Sequence, residues 1–279
     1  MTEIQIDRLA SGEPACGINK VVYALFKHKA DFVVRTTYNG EGKPVSSLSA
    51  DDFPAYGGEL LVSDQDFTAF LVTRKLHREQ LAALGRVLES SRTSTPWGQA
   101  DQVVRYTRGL NSYCTPRHGG FKVSEALNMS IPEMLRNADG WYEEDSEWAK
   151  VAFALPQHFT DHEIQKAHEN LINYYPNEYE ALTGKVIEEG QSSTRDETLF
   201  HTRNAGNWVA ISAINSDEEE GMVLVTATMG GQRERHDGPS VEEKRFLVPN
   251  EEYRSRSRFG FVVDPDKHRE LDDMPKPGR

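Results

Sequence analysis

The hydrophobic pattern of this chain changes period along its length, and that change limits its architecture more than any other feature. Near the start, Val21–Phe26 and Phe32–Tyr38 are apolar runs rich in strand-forming residues, separated by Lys27-His28-Lys29-Ala30-Asp31 and followed by the turn signal Asn39-Gly40. This predicts strand, turn and strand, with a short helix over residues 18–29 as the alternative. Gly57-Gly58 breaks the chain before a short strand at Glu59–Ser63, and Asp64–Leu71 follows. Leu76, Leu81, Leu84, Val87 and Leu88 then recur every three or four residues, which predicts an amphipathic helix over 76–88 with Gly85 as a tolerated weak point.

The middle third reads as mainly helical. Ser130, Pro132 and Glu133 form an N-terminal signature for a helix over Ile131–Ala138, which Gly140 stops. A second helix starts near Asp145, includes Trp148, Val151 and Ala152, and ends before Pro156. Thr160-Asp161-His162-Glu163 is a capping box opening a helix to about Tyr174, and Asn177–Leu182 makes a short one closed by Gly184. In the last third Trp208–Ile214 and Met222–Met229 flank the acidic loop Asn215–Gly221 as a hairpin, and Arg245–Val248 and Phe259–Val263 add two strands. Residues 230–244 read as an exposed connection and 270–279 as a frayed tail. The expected class is α+β: a mixed N-terminal part, a helical middle and an antiparallel C-terminal β-sheet. The polar stretch Ser90–Gly98, broken by Pro96 and Gly98, is the expected boundary. It divides the chain into an N-terminal α/β part (1–92), a linker (93–106) and a domain over 107–279, helical at 125–184 and β-rich at 205–265.

Charge narrows the function classes. The formal net charge is −12, and residues 101–200 hold 9 basic against 17 acidic side chains. Nucleic-acid affinity rests on Lys and Arg releasing counterions, so direct nucleic-acid binding is disfavoured, whereas a decoy for a nucleic-acid-binding protein would need this balance. No apolar run is long enough for a membrane span, and MTEIQIDRLASGEP lacks the regions of a secretion signal, so a cytoplasmic protein is expected. Cys16 and Cys114 form no CxxC pair or disulfide framework, which suits a reducing compartment. The motifs GxxxxGK[ST], GxGxxG, HExxH and GxSxG are absent, and no cofactor is expected.

The rarer residue types concentrate in Ser112–Lys150. His118 beside Gly119-Gly120 places an imidazole where backbone can approach a ligand, and the amides there, with Arg117, could hold an anion. Glu143, Glu144 or Asp145 could orient the ring for acid/base work, giving His118, Glu143 and Asp145 as catalytic candidates; the plain alternative is a tight turn with a structural histidine. Cys114 and His118 would touch on a helix, but Pro116 and the glycines argue against one, and a small buried thiol is the plain reading. Trp141, Tyr142, Glu143, Glu144 and Asp145 combine aromatic and acidic groups suited to a binding surface, or else tryptophans in a core with acids at a helix start. A metal site is not expected: His158 and His162 straddle the cap at Thr160, and His168 lies six residues beyond His162. Arg254, Arg256 and Arg258 would line one side of an extended segment, pairing with Glu251 and Glu252 in the ordinary reading.

T-P-R-H-G-G-F-K-V-S at 115–124, G-W-Y-E-E-D-x-E-W-A at 140–149, Y-E-A-L-T-G at 179–184, N-W-V-A-I-S-A-I at 207–214, R-F-L-V-P at 245–249 and F-G-F-V-V-D-P-D-K-H at 259–268 resemble an uncharacterised bacterial family common on plasmids and integrated mobile elements, over roughly residues 107–270. The resemblance implies a genetic setting and carries over no catalytic residue. Two expectations result, and whether the protein is an enzyme stays open between them. One is a mobile-element accessory protein that binds a host protein, a nucleic-acid-binding one by the charge argument, and interferes with a host DNA-directed defence. The other is a small hydrolase or transferase using His118 with a carboxylate on an anionic substrate.

Overall fold

The computed structural model describes residues 4–61, 63, 65–217, 219–233 and 240–271. Asp64, Glu218, residues 234–239 of the expected connection and residues 272–279 of the expected tail lie outside the described residues. The fold is α+β, and the chain divides at Asn170/Leu171 into two compact units. Among the described residues no helix is long and apolar enough to cross a membrane.

The first unit opens with an antiparallel sheet in chain order: β1 (Asp7–Arg8), β2 (Pro14–Ile18), β3 (Val21–His28), β4 (Asp31–Tyr38) and β5 (Glu59–Leu61). Both faces are covered, which explains why β3 is a continuous apolar run rather than an alternating one. Val22, Ala24 and Phe26 pack with Leu48 and Phe53 on one side, while Tyr23 and Leu25 pack with Phe67 and Leu71 on the other. The helical alternative for residues 18–29 is therefore not adopted. Phe67 and Leu71 belong to helix α1 (Asp66–Leu84), which Gly85 ends in the left-handed conformation (φ +60°). Val87 and Leu88, expected to continue that helix, instead start β6 (Val87–Ser90).

Residues 93–106, expected as a linker, are structured. They contain the hairpin β7 (Ser94–Thr95) and β8 (Gly98–Gln99) and most of β9 (Gln102–Thr107), an inner strand of a second sheet. Pro96 and Gly98 serve the hairpin turn, where Thr95 Oγ1 donates to the Gly98 carbonyl (2.7 Å) and Gly98 has φ +120°. The sheet order is β12-β11-β10-β9-β6, all antiparallel, with β10 (Leu110–Cys114), β11 (Gly119–Val123) and β12 (Trp141–Glu143).

Between β11 and β12 lie helix α2 (Glu125–Asn128) and a single 3₁₀ turn at Glu133–Leu135, not the helix expected over Ile131–Ala138. The Arg136 side chain takes the Ile131 carbonyl (3.0 and 2.7 Å) and the Met129 carbonyl (3.1 Å), and Pro132 is extended (ψ 137°), so a helical ladder does not form. Helix α3 (Trp148–Ala154) and helix α4 (Asp161–Tyr174) match expectation. The α4 capping box is complete: Glu163 N donates to Thr160 Oγ1 (3.2 Å) and Thr160 N to Glu163 Oε2 (2.8 Å).

The second unit contains the end of α4, then α5 (Pro176–Thr183), closed by Gly184 at φ +70°, and α6 (Ser193–Arg203), capped by Ser192. Its antiparallel sheet runs β13 (Trp208–Asn215), β14 (Met222–Met229), β15 (Glu243–Pro249) and β16 (Arg269–Leu271). Phe259–Val263 forms no extended strand among the described residues but two isolated bridges, Val209 to Val262 and Ser257 to Gly260, and it buries Phe261 and Val263 with Val225, Phe246 and Val248. The three arginines are not lined up on an extended segment: Arg254 ends helix α7 (Asn250–Arg254), Arg256 stacks 4.4 Å from the Tyr253 ring centroid, and Arg258 lies 3.5 Å from Asp196. Glu252 is engaged by Lys267 (2.8 Å) and His268 (3.2 Å).

Candidate functional site

The central stretch folds as β10, turn, β11, crossover and β12, and each candidate residue takes its place from that pairing. Buried Thr115 pins the turn: its amide donates to the His118 carbonyl (2.9 Å), and its hydroxyl donates to that carbonyl (2.7 Å) and accepts from His118 N (3.2 Å). Arg117 and His118 are left exposed at the tip. Gly119 and Gly120 lie in β11, buried opposite Cys114 and Tyr113, so the open pair of amides expected to hold an anion is not formed. Neither glycine has positive φ; both are there for close approach. A Cβ on Gly119 would stand 2.6 Å from Glu144 Oε2, and one on Gly120 would overlap the Tyr142 carbonyl and the Trp97 ring. Cys114 is exposed rather than buried, its thiol directed at the Thr115 carbonyl (3.6 Å).

The β11–β12 pairing brings His118, Glu143 and Glu144 together, with their donor atoms all within 4.8 Å of one another. One imidazole and two carboxylates are ligand types that zinc or manganese accepts, and they are the residues here that could hold a metal ion. Glu143 and Glu144 are two of the carboxylates expected to orient the His118 ring, whereas a metal site was not expected, because the set spans a crossover. Asp145 is not part of it. Glu143 also closes the turn into α3, accepting from Asp145 N (2.8 Å) and Ser146 N (3.2 Å).

The expected binding patch is split between the two faces of the sheet. Register places Tyr113, Gly120 and Glu143 in one cross-strand row and Asn111, Lys122 and Trp141 in the next row of the same face, with Phe121 and Tyr142 on the opposite face. Tyr142 is completely buried and is unavailable as a contact residue. Its hydroxyl donates to Asn128 Oδ1 (2.6 Å) and accepts from Asn137 N (3.0 Å), and burial pushes it above the ordinary tyrosine value. Asn137 also donates to the Trp141 carbonyl (2.7 Å) and Glu147 Oε2 (2.9 Å), and buried Lys150 donates to Glu147 Oε1 (2.9 Å). Burial pushes the Glu147 carboxyl up, but the bonds from Asn137 and Lys150 outweigh this and leave it below the usual carboxylate range.

Trp141, on the other face, meets Trp97 edge-on (centroids 5.7 Å) and Tyr113 at 5.6 Å, with the Lys122 ammonium 4.9 Å from its ring. All three rings are half-buried, as is Trp148 at the start of α3. Arg105 and Glu89 pair on the same face (2.8 Å), and Glu144 and Asp145 are exposed beyond the end of β12.

A second polar cluster, which the sequence reading missed, joins α1 to the start of α4. Gln80 donates to Asp161 (2.7 Å), His77 Nδ1 lies 2.7 Å from Thr160 Oγ1, and Arg74 bonds Glu59 and donates to His162 Nε2 (3.0 Å). Arg86 grips Glu163 with both nitrogens (2.7 and 2.6 Å), donates to the His158 carbonyl (2.8 Å), and lies 3.9 Å above the Tyr106 ring. Burial holds His77, His158 and His162 below the ordinary histidine value. His162 faces His77 (5.1 Å).

Residues 90–205 match a family described as a domain of unknown function (DUF7007). The match runs from the end of β6 to just past α6, less than half of the chain, and agrees with an uncharacterised family. No curated protein and no solved structure matches the chain.

Proposed function

We propose that the protein is a binding module that grips a partner protein with the open face of its second sheet. The cluster of Trp97, Tyr113 and Trp141 carries this reading: three half-buried rings on one sheet face, with Trp97 and Tyr113 each against Trp141, beside exposed charges. Rings of this kind supply most of the affinity of protein interfaces, and the exposed acids Glu144 and Asp145 at the sheet's edge supply partner choice. The mobile-element setting that the sequence resemblance implies makes the partner a host protein. A net charge of −12 suits one with a basic, nucleic-acid-binding surface, and interference with a DNA-directed defence is the role assigned to the contact. Capture of host proteins on the intact chain, followed by titration of the purified partner at two salt concentrations, tests this. Trp97→Ala should weaken binding by at least about tenfold, and Glu144→Lys with Asp145→Lys should weaken it most at low salt. Affinity unmoved by both changes overturns the reading.

A second reading rests on one observation, the convergence of His118, Glu143 and Glu144 within 4.8 Å. It is a hydrolase or transferase acting on an anionic substrate, with His118 as acid/base or metal ligand and Arg117 beside it. Turnover in a phosphoester screen, with and without added zinc or manganese, that His118→Ala abolishes would favour it. Turnover that persists in His118→Ala, or no turnover at all, removes it.

A further inference from the structure

The strongest feature outside that face is a basic groove in the first unit. Helix α1 covers the first sheet with Phe67 and Leu71, and beside its later turns a cavity of about 600 Å³ remains between helix and sheet. Tyr23, Val34, Phe70 and Leu81 give it apolar walls, and Thr36 and Glu59 line the sheet side. Arg74, His77 and Arg78 line the helix side. Spaced at i, i+3 and i+4, they share one helix face, so three nitrogen-bearing side chains meet the same space. Gly58 permits the wall to close here: a Cβ at that position would stand 2.5 Å from the Val34 carbonyl oxygen.

The charges in the groove do not cancel. Glu59 bonds Arg74, whereas Arg78 has no carboxylate partner among the described residues. Arg78 also lines a second cavity of about 230 Å³, with Cys16, Asn19, Lys75 and Glu79. In a chain of net charge −12, this positive, partly apolar hollow runs against the overall balance. Its size lies within the span usual for small-molecule sites, which is roughly 300–1,000 Å³. Guanidinium groups match the planar, two-point geometry of phosphate oxygens.

We propose that this groove binds a small phosphate monoester, its phosphoryl group between Arg74, His77 and Arg78 and its organic part against Phe70, Leu81 and Tyr23. The site is separate from the aromatic face of the second sheet, so either assignment can fail without the other.

Calorimetric titration of the full chain at roughly 0.15 M ionic strength tests it. Adenosine 5′-monophosphate and ribose 5-phosphate are the phosphorylated probes, and adenosine and ribose their uncharged counterparts. At least one ester should bind saturably while its uncharged counterpart does not. Arg78→Gln, at a residue with no ion pair among the described residues, should weaken that binding by about tenfold or more and leave the ligand-free melting temperature and circular dichroism spectrum unchanged. Binding of both esters with equal strength to inorganic phosphate would narrow the ligand to the anion alone and overturn the monoester assignment. Absence of saturable binding, equal binding of the uncharged probes, or affinity unchanged in Arg78→Gln would overturn the site.

Discussion

Replacing Glu163 by glutamine keeps the shape of the α4 capping box but removes the negative charge that Arg86 holds. The two side chains are 11% and 21% exposed, and Arg86 stays fixed by the His158 carbonyl and the Tyr106 ring, so its cation cannot escape to water without breaking those contacts. Removing one member of a buried pair typically costs about 3–5 kcal/mol, and the partial exposure here puts Glu163→Gln near the lower end, about 3 kcal/mol. Adding Arg86→Met removes the stranded cation, so the double variant should be more stable than the sum of the single losses implies. Urea unfolding followed by tryptophan fluorescence measures this, since Trp97, Trp141 and Trp148 all lie in the first unit. The sign with pH is fixed. Burial pushes the Glu163 carboxyl up, but its bonds from Arg86 and the Thr160 amide outweigh this and hold it below 4.5. The stability it contributes is therefore present above pH 4.5 and is lost as pH falls through the lowered value, so the difference between wild type and Glu163→Gln should shrink there. A loss below about 1 kcal/mol at pH 7 would put this pair with ordinary surface pairs and refute the reasoning.

Tyr142→Phe leaves Asn128 Oδ1 and the Asn137 amide without their shared partner and should cost about 1–3 kcal/mol, read as a shift in the urea midpoint. Gly120→Ala drives a methyl into the Trp97 ring and the Tyr142 carbonyl; a cost of about 1–3 kcal/mol and red-shifted tryptophan emission are expected. His77, His158 and His162 all have values lowered from 6.5, so the stability they contribute is present above pH 6.5 and is lost as pH falls through the lowered values; a melting temperature that is flat from pH 7 to 5 would contradict this. In the second unit, Arg195 and the Ile187 amide hold the Glu180 carboxyl at about 2, and Arg195→Gln should return it toward the usual glutamate range in a carboxyl-detected NMR titration.

Local sequence signals suffice where one element decides the outcome. The β3–β4 hairpin and the Thr160–Glu163 capping box need only neighbouring residues, and both stand as expected. Val87 and Leu88 continue the helical spacing of α1 by coincidence, and pairing with β9 overrides it once Gly85 turns left-handed. The lost helix at Ile131–Ala138 is a side-chain effect, Arg136 claiming carbonyls that a ladder would use. The candidate site is legible in composition and not in side: which of Trp141 and Tyr142 faces the core depends on the β11–β12 register. Arg86 and Glu163 lie 77 residues apart, a separation at which no pattern links them.

The dissociation constant of a purified partner, measured with wild type and with Trp97→Ala, tests the central claim most directly. If the ring cluster is the contact, the complex weakens by at least about tenfold while the Trp97→Ala chain keeps its fold and its response to phosphate esters. An unchanged dissociation constant in a folded Trp97→Ala protein would contradict it.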